Sequence, residues 1–175
     1  FSYVVNEMFD RLMMIELAPG TLEERKEQLG VYGANYKLAM IISLFTQAFR
    51  YGAEPFFFRQ KKSENAMQLY ADVAKYFAIV GAVGFLVVML YIDIFKYFIR
   101  TEAYWEGLEV VPILLLANLC LGLYYNLSVW YKIMDQTRWG AYISVLGAVI
   151  TIVLNLLLMP RFGYVGAAWT TLVCY

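Results

Sequence analysis

Long stretches without charged residues alternate with short polar segments along this chain. Residues 76–92, 110–131 and 139–160 contain no Asp, Glu, Lys or Arg. Since about 17 to 25 mostly apolar residues cross a bilayer as a helix, each stretch predicts a transmembrane helix. Residues 31–58 are long enough for a fourth span, although they include Lys37, Arg50 and Glu54. Residues 1–17 and 164–175 predict two further spans, both truncated.

Short segments with turn and capping signals separate these predicted spans. Pro19 and Gly20 are expected to end the first helix, and residues 21–24 form a capping box that opens a short polar helix to about Leu29. A basic turn covers residues 59–62, Ser63 is a candidate cap, and residues 160–163 predict a tight turn. The pattern predicts an all-α, polytopic transmembrane bundle of about six segments, forming one domain over residues 1–175 without a soluble domain.

Composition supports a lipid environment and excludes several functional classes. Hydrophobic residues make up 62% of the chain and charged residues 16%, which is too few charges for the shell of a soluble domain. The net charge of +0 provides no basic field for nucleic acid. Histidine is absent from the sequence, and Cys120 and Cys174 lie in apolar runs. We therefore predict no metal and no cofactor.

The predicted span at residues 31–58 has one polar face. At about 100° per residue, its polar side chains fall within a wedge of roughly 60°. These candidate substrate-binding residues are Tyr36, Ser43, Gln47, Arg50 and Glu54. The opposite face is apolar and consists of Leu38, Ile41, Phe45, Ala48 and Phe49. Because an ionisable group in a bilayer costs about 2.5 to 3.5 kcal/mol on insertion scales, such groups usually face a bundle interior or an aqueous cavity. The wedge therefore predicts a cavity-lining helix.

Arg50 and Glu54 allow two interpretations. Their i to i+4 spacing permits a structural pair in which the two charges neutralise each other. Alternatively, Arg50 faces a transport cavity, where its planar guanidinium suits phosphate oxygens, and Glu54 orients it or titrates with it.

Five further polar residues lie within predicted spans. Asp10 is a candidate cavity residue, with an interfacial position as the alternative. Asn118 is expected to make an interhelical hydrogen bond. Thr151 and Asn155 share a helical face with Ser144, which predicts either close helix packing or a polar cavity wall.

Two segments carry a resemblance to a known family. The first includes LGVYGANYKLA at residues 29–39 and QAFRYGAEPFFF at residues 47–58, and the second is PRFGYVGAAWTT at residues 160–171. The first resembles the eighth helix of bacterial polysaccharide-biosynthesis flippases, and the second is similar to that family's turn between helices eleven and twelve. These flippases belong to the multidrug, oligosaccharidyl-lipid and polysaccharide exporter superfamily, with the lipid II flippases and MATE-type drug exporters. The resemblance covers nearly the whole chain, from the seventh helix into the twelfth.

The resemblance implies a transporter rather than an enzyme. Two six-helix halves would surround a cavity and flip an undecaprenyl-pyrophosphate-linked oligosaccharide across the bacterial inner membrane by alternating access. The implied partners are this lipid-linked sugar, the lipid bilayer and the remaining half of the same transporter. Arg50 would meet the pyrophosphate, while the coupling ion, Na⁺ or H⁺, stays open.

Two alternatives to a flippase remain open. A MATE-type cation-coupled multidrug exporter would need a net acidic cavity. A membrane-embedded glycosyltransferase or polymerase would need an acidic metal or base site beside an aqueous loop. The longest polar loop, residues 18–30, has Glu23, Glu24 and Glu27 without metal-ligand spacing.

Overall fold

The computed structural model describes the backbone of residues 2–60, 65–99 and 101–175, and the side chains of these ranges except residues 2–7 and 130. Ser63, Lys61 and Lys62, which belong to the predicted turn and cap, lie outside the described residues. The helices are α1 (Ser2–Leu17), α2 (Leu22–Gln60), α3 (Ala66–Leu90), α4 (Ile92–Phe95), α5 (Val111–Ile133) and α6 (Arg138–Cys174), with 3₁₀ segments at Lys96–Phe98 and Glu102–Val110. Helix accounts for 92% of the structure, and the described ranges contain no strand. The predicted all-α class is confirmed.

Three segments are long and apolar enough to cross a membrane: Ala66–Leu90, Glu102–Ile133 and Arg138–Cys174. They correspond to the three charge-free stretches of the sequence and indicate a membrane protein. The predicted fourth span in α2 is not among them, because its uncharged stretch runs only from residue 38 to residue 49. Six spans therefore remain a prediction.

Helix α2 begins at the predicted capping box, but it is longer than predicted. The backbone N–H of Thr21 donates to Glu24 Oε2 at 2.7 Å, and that of Glu24 to Thr21 Oγ1 at 3.4 Å. The predicted break near Leu29 is wrong, since α2 continues for 39 residues to Gln60. An interior glycine such as Gly30 costs a helix only about 1 kcal/mol relative to alanine, and contacts along α2 outweigh that cost.

The predicted turn at residues 160–163 appears as a break within α6. Gly163 has φ 55° and ψ −133°, outside the helical region. A residue with a side chain is strained at this positive φ. A Cβ atom at this position would also meet Gln28 Oε1. Glycine at 163 therefore permits both the kink and its close contact with the start of α2.

Helix α5 is at the centre of the bundle. In the segment Glu102–Ile133, which includes α5, half of the most apolar stretch is buried inside the protein. The buried share of the corresponding stretch is 17% in α3 and 17% in α6. Helices α2, α3 and α6 each pack on α5, while α1 packs against α6 and α2. The outer sides of α3 and α6 carry exposed Leu86, Leu90, Val149 and Leu157. Large apolar side chains on the outside suit a protein surrounded by lipid.

Candidate functional site

Polar residues of α2 and α5 meet along the contact between these two helices. Ser43 Oγ donates to Asn118 Oδ1 at 2.5 Å, and Asn118 Nδ2 donates to the Leu114 carbonyl at 2.8 Å. The predicted interhelical hydrogen bond of Asn118 is confirmed. Ser43 is buried, so it packs between the helices.

Further along the same contact, Arg50 lies at a small pocket between α2 and α5. Its guanidinium carbon is 4.9 Å from the centre of the Tyr125 ring and 5.7 Å from that of Tyr51. A guanidinium over an aromatic face at these distances is held by a cation–π interaction. Thr46, Gly122 and Asn126 also line the pocket.

Glu54 is paired across the helices with Lys132. The Lys132 ammonium donates to Glu54 Oε1, and both side chains are 32% exposed. The alternative in which Arg50 and Glu54 neutralise each other does not describe this geometry, because Glu54 has a different partner. Arg50 and Glu54 line the pocket, whereas Lys132 lies outside its lining. The three groups together carry a net charge of +1, because Lys132 neutralises Glu54 and leaves the charge of Arg50.

The predicted polar wedge of α2 is not one continuous surface. Tyr36 is buried in the core with Ser43, Gln47 is exposed, and Arg50 and Glu54 border the pocket. On the predicted apolar face, Phe45 and Phe49 pack on Phe77, with ring centres 5.3 and 4.9 Å apart, whereas Ile41 and Ala48 are exposed. Several helices cross α2, so one face of α2 packs against different helices at different points along its length.

A second polar cluster joins α1 to both arms of the kinked α6. Asp10 is 4% exposed. Asn155 Nδ2 donates to Asp10 Oδ1 at 2.5 Å, and Thr171 Oγ1 donates to Asp10 Oδ2 at 3.3 Å. The Asp10 carboxylate is therefore enclosed by protein, while its depth in the bilayer, at a cavity or at the interface, stays a prediction. Close packing, one of the two interpretations of the Asn155 face, is observed.

The Asp10 cluster contains an unsatisfied oxygen. Asn155 is fully buried, and its Oδ1 has no hydrogen-bond partner among the described residues. Carboxylate, amide and hydroxyl oxygens are ligands that hard cations prefer. The described part of the chain holds no group of three or more His, Cys, Asp or Glu residues that could bind a metal ion. Cation binding here would therefore depend on Asp10 with neutral oxygens.

Six residues of these sites were not singled out by the sequence pattern: Thr46, Gly122, Tyr125, Asn126, Lys132 and Thr171. Gly122, Tyr125, Asn126 and Lys132 share one helical face of α5 with Asn118. This periodicity is the signal that identifies the α5 side of the pocket. Thr171 follows the kink, and the sequence contains no comparable signal for its approach to Asp10.

Comparison of this chain with models of protein families, with curated proteins and with solved structures found no match. A function for this chain therefore rests on its sequence pattern and on the geometry of the two polar clusters.

Proposed function

We propose that this chain is part of a flippase that moves an undecaprenyl-pyrophosphate-linked oligosaccharide across the bacterial inner membrane. The observation that carries the proposal is the pairing of Glu54 with Lys132, which leaves Arg50 at the α2–α5 pocket without an acidic partner among the described residues. An ionisable group at the depth of a membrane usually marks a substrate or ion pathway. A positive pocket favours an anionic head group.

Arg50 has the chemistry required for a pyrophosphate. Its planar guanidinium offers several N–H donors that match phosphate oxygens in pairs. The ring of Tyr125 holds one face of the guanidinium, which leaves donors at its edge for a ligand. Arg50 is half-buried, so the head group would reach it from the open side of the pocket.

In this proposal α2 crosses the membrane beside the three apolar spans, and the chain rocks against the other half of the transporter. The sugar head group occupies the cavity while the lipid tail stays in the bilayer, as expected for alternating access. A coupling cation, Na⁺ or H⁺, would bind at Asp10. Support for this assignment comes from the buried carboxylate, the unsatisfied Asn155 Oδ1 and the position of the cluster between the two arms of the kinked α6.

The same charge count argues against the closest rival function. An exporter of cationic drugs needs an acidic cavity, whereas Arg50, Lys132 and Glu54 sum to +1. A like charge at the pocket would repel such drugs.

The proposal is tested by replacing Arg50 in the intact transporter. A charge-assisted hydrogen bond contributes about 1.5 to 3 kcal/mol, so Arg50→Ala should weaken binding of undecaprenyl pyrophosphate by about 10- to 150-fold. Arg50→Lys keeps the charge without the planar donors and should recover binding in part. Surface polysaccharide in cells should fall in the same order.

Arg59→Ala is the matched control, because Arg59 is exposed near the end of α2. Membrane abundance must be equal in all variants. Unchanged binding and export in Arg50→Ala at normal abundance would remove the phosphate role from Arg50.

A further inference from the structure

Two buried oxygen atoms at the α2–α5 pocket lack hydrogen-bond partners. Thr46 Oγ1 and Asn126 Oδ1 make no hydrogen bond among the described residues, and Thr46 is only 4% exposed. Leaving a buried polar atom unsatisfied costs about 1 to 3 kcal/mol. Native proteins usually satisfy such atoms with protein groups or ordered water.

Thr46 and Asn126 both line the same pocket. Asn126 Nδ2 donates to the Gly122 carbonyl at 3.1 Å, which fixes the amide so that Oδ1 is the atom left free. Gly122 keeps this space open, since a Cβ there would lie 2.8 Å from Thr46 Oγ1 and 2.6 Å from Phe77 Cζ. The pocket contains about 10 Å³ in which the centre of a water molecule fits. A single water needs at least about that volume, together with two to four polar partners.

We propose that one ordered water molecule occupies this pocket and donates hydrogen bonds to Thr46 Oγ1 and Asn126 Oδ1. Arg50, on the same pocket, offers a donor to the water oxygen. The water completes a series of polar contacts between α2 and α5. Along α2, the hydrogen bond from Ser43 to Asn118 precedes the water, and the contact between Glu54 and Lys132 follows it. The proposal of this water site does not depend on which substrate is transported.

The test is hydroxyl-radical footprinting of the intact protein with synchrotron X-rays, which oxidises side chains next to ordered water. Tyr125 reports on the pocket, and buried Tyr36 is the packed reference. Exposed Tyr97, in the 3₁₀ segment outside the spans, is the bulk-water reference. We expect Tyr125 to be oxidised several-fold faster than Tyr36. After rapid mixing with H₂¹⁸O, the label on Tyr125 should retain ¹⁶O longer than the label on Tyr97, because bound water exchanges more slowly than bulk water.

Matched variants connect the label to the two oxygens. Thr46→Val keeps the shape of the side chain and removes the hydroxyl, whereas Thr46→Ser retains it. The valine variant should lose most Tyr125 oxidation and the serine variant should keep it, with Asn126→Leu as an independent second removal.

Three results would overturn the water site. They are Tyr125 oxidation as slow as that of Tyr36, ¹⁸O incorporation at Tyr125 as fast as at Tyr97, or a wild-type rate in a folded Thr46→Val or Asn126→Leu protein. The first two use the wild-type protein alone and so decide the matter even if the variants fail to fold.

Discussion

Replacing Lys132 with methionine removes the charge that neutralises Glu54. Glu54 lies one helical turn from Arg50 on α2, so it becomes available as the counter-ion of Arg50. The charge of the three groups then falls from +1 to +1 − 1 = 0. We predict that Lys132→Met weakens pyrophosphate binding without changing Arg50 itself.

The expected size of the effect follows from the exposure of these groups. Exposed ion pairs are worth about 0.2 to 1 kcal/mol, and charged hydrogen bonds about 1.5 to 3 kcal/mol. Side chains that are one-third exposed, as Glu54 and Lys132 are, fall between these limits. A competition energy of about 1 to 2 kcal/mol corresponds to about 5- to 30-fold weaker binding.

The assay is the affinity of the purified transporter for undecaprenyl pyrophosphate, with the free energy of unfolding measured in parallel. The double variant Lys132→Met with Glu54→Gln returns the sum to +1 and should restore affinity. Arg50→Ala with Glu54→Gln also sums to +1, through Lys132, but lacks the guanidinium and should stay weak. The charge argument fails if the Lys132→Met defect persists in the first double variant while the protein remains folded.

Two further predictions concern the exposure of α2 and the kink in α6. A cysteine at exposed Gln47 should react with a water-soluble maleimide, while a cysteine at buried Ser43 stays protected. Equal labelling of the two cysteines would mean that α2 moves away from α5. Gly163→Ala should lower the free energy of unfolding, measured in an SDS titration, by about 1 to 3 kcal/mol, the cost of holding a residue with a side chain in a sparsely populated backbone conformation. Gly52→Ala is its control, because a Cβ at Gly52 meets no atom within 4 Å. If Gly52→Ala lowered the free energy of unfolding as much as Gly163→Ala does, the role of the positive φ would be contradicted.

The spans and the capping box were predictable because their causes are local. A charge-free stretch of sufficient length requires only its own residues to form an apolar helix. The hydrogen bonds between Thr21 and Glu24 likewise form within a single turn. The break expected at Leu29 was wrong because glycines weaken a helix only slightly, and helix packing decides whether it continues.

The pairing of the site residues was not predictable, because it depends on how the helices cross. A helical wheel gives the direction of a side chain but not its partner, so the sequence placed Arg50 and Glu54 on one face without a partner on another helix. Lys132 follows the charge-free residues 110–131, lies in the last turn of α5 and reaches Glu54. The burial of Asp10 likewise depended on the fold of α6 around it.

The two polar clusters should be coupled if a cation at Asp10 drives transport. Helices α2, α5, α6 and α1 form a continuous series of contacts between Arg50 and Asp10, and binding effects between two coupled sites must be reciprocal. Adding Na⁺, or lowering the pH if the ion is H⁺, should change the affinity for undecaprenyl pyrophosphate by about 5- to 150-fold, the usual range for linked sites. The lipid should change cation affinity by the same factor. Asp10→Asn removes the titratable charge with little change in shape, so its lipid affinity should no longer depend on the ion, while Arg50→Ala should retain cation binding. An unaltered ion dependence in folded Asp10→Asn would show that the coupling ion binds elsewhere, because the variant lacks the carboxylate proposed to hold it.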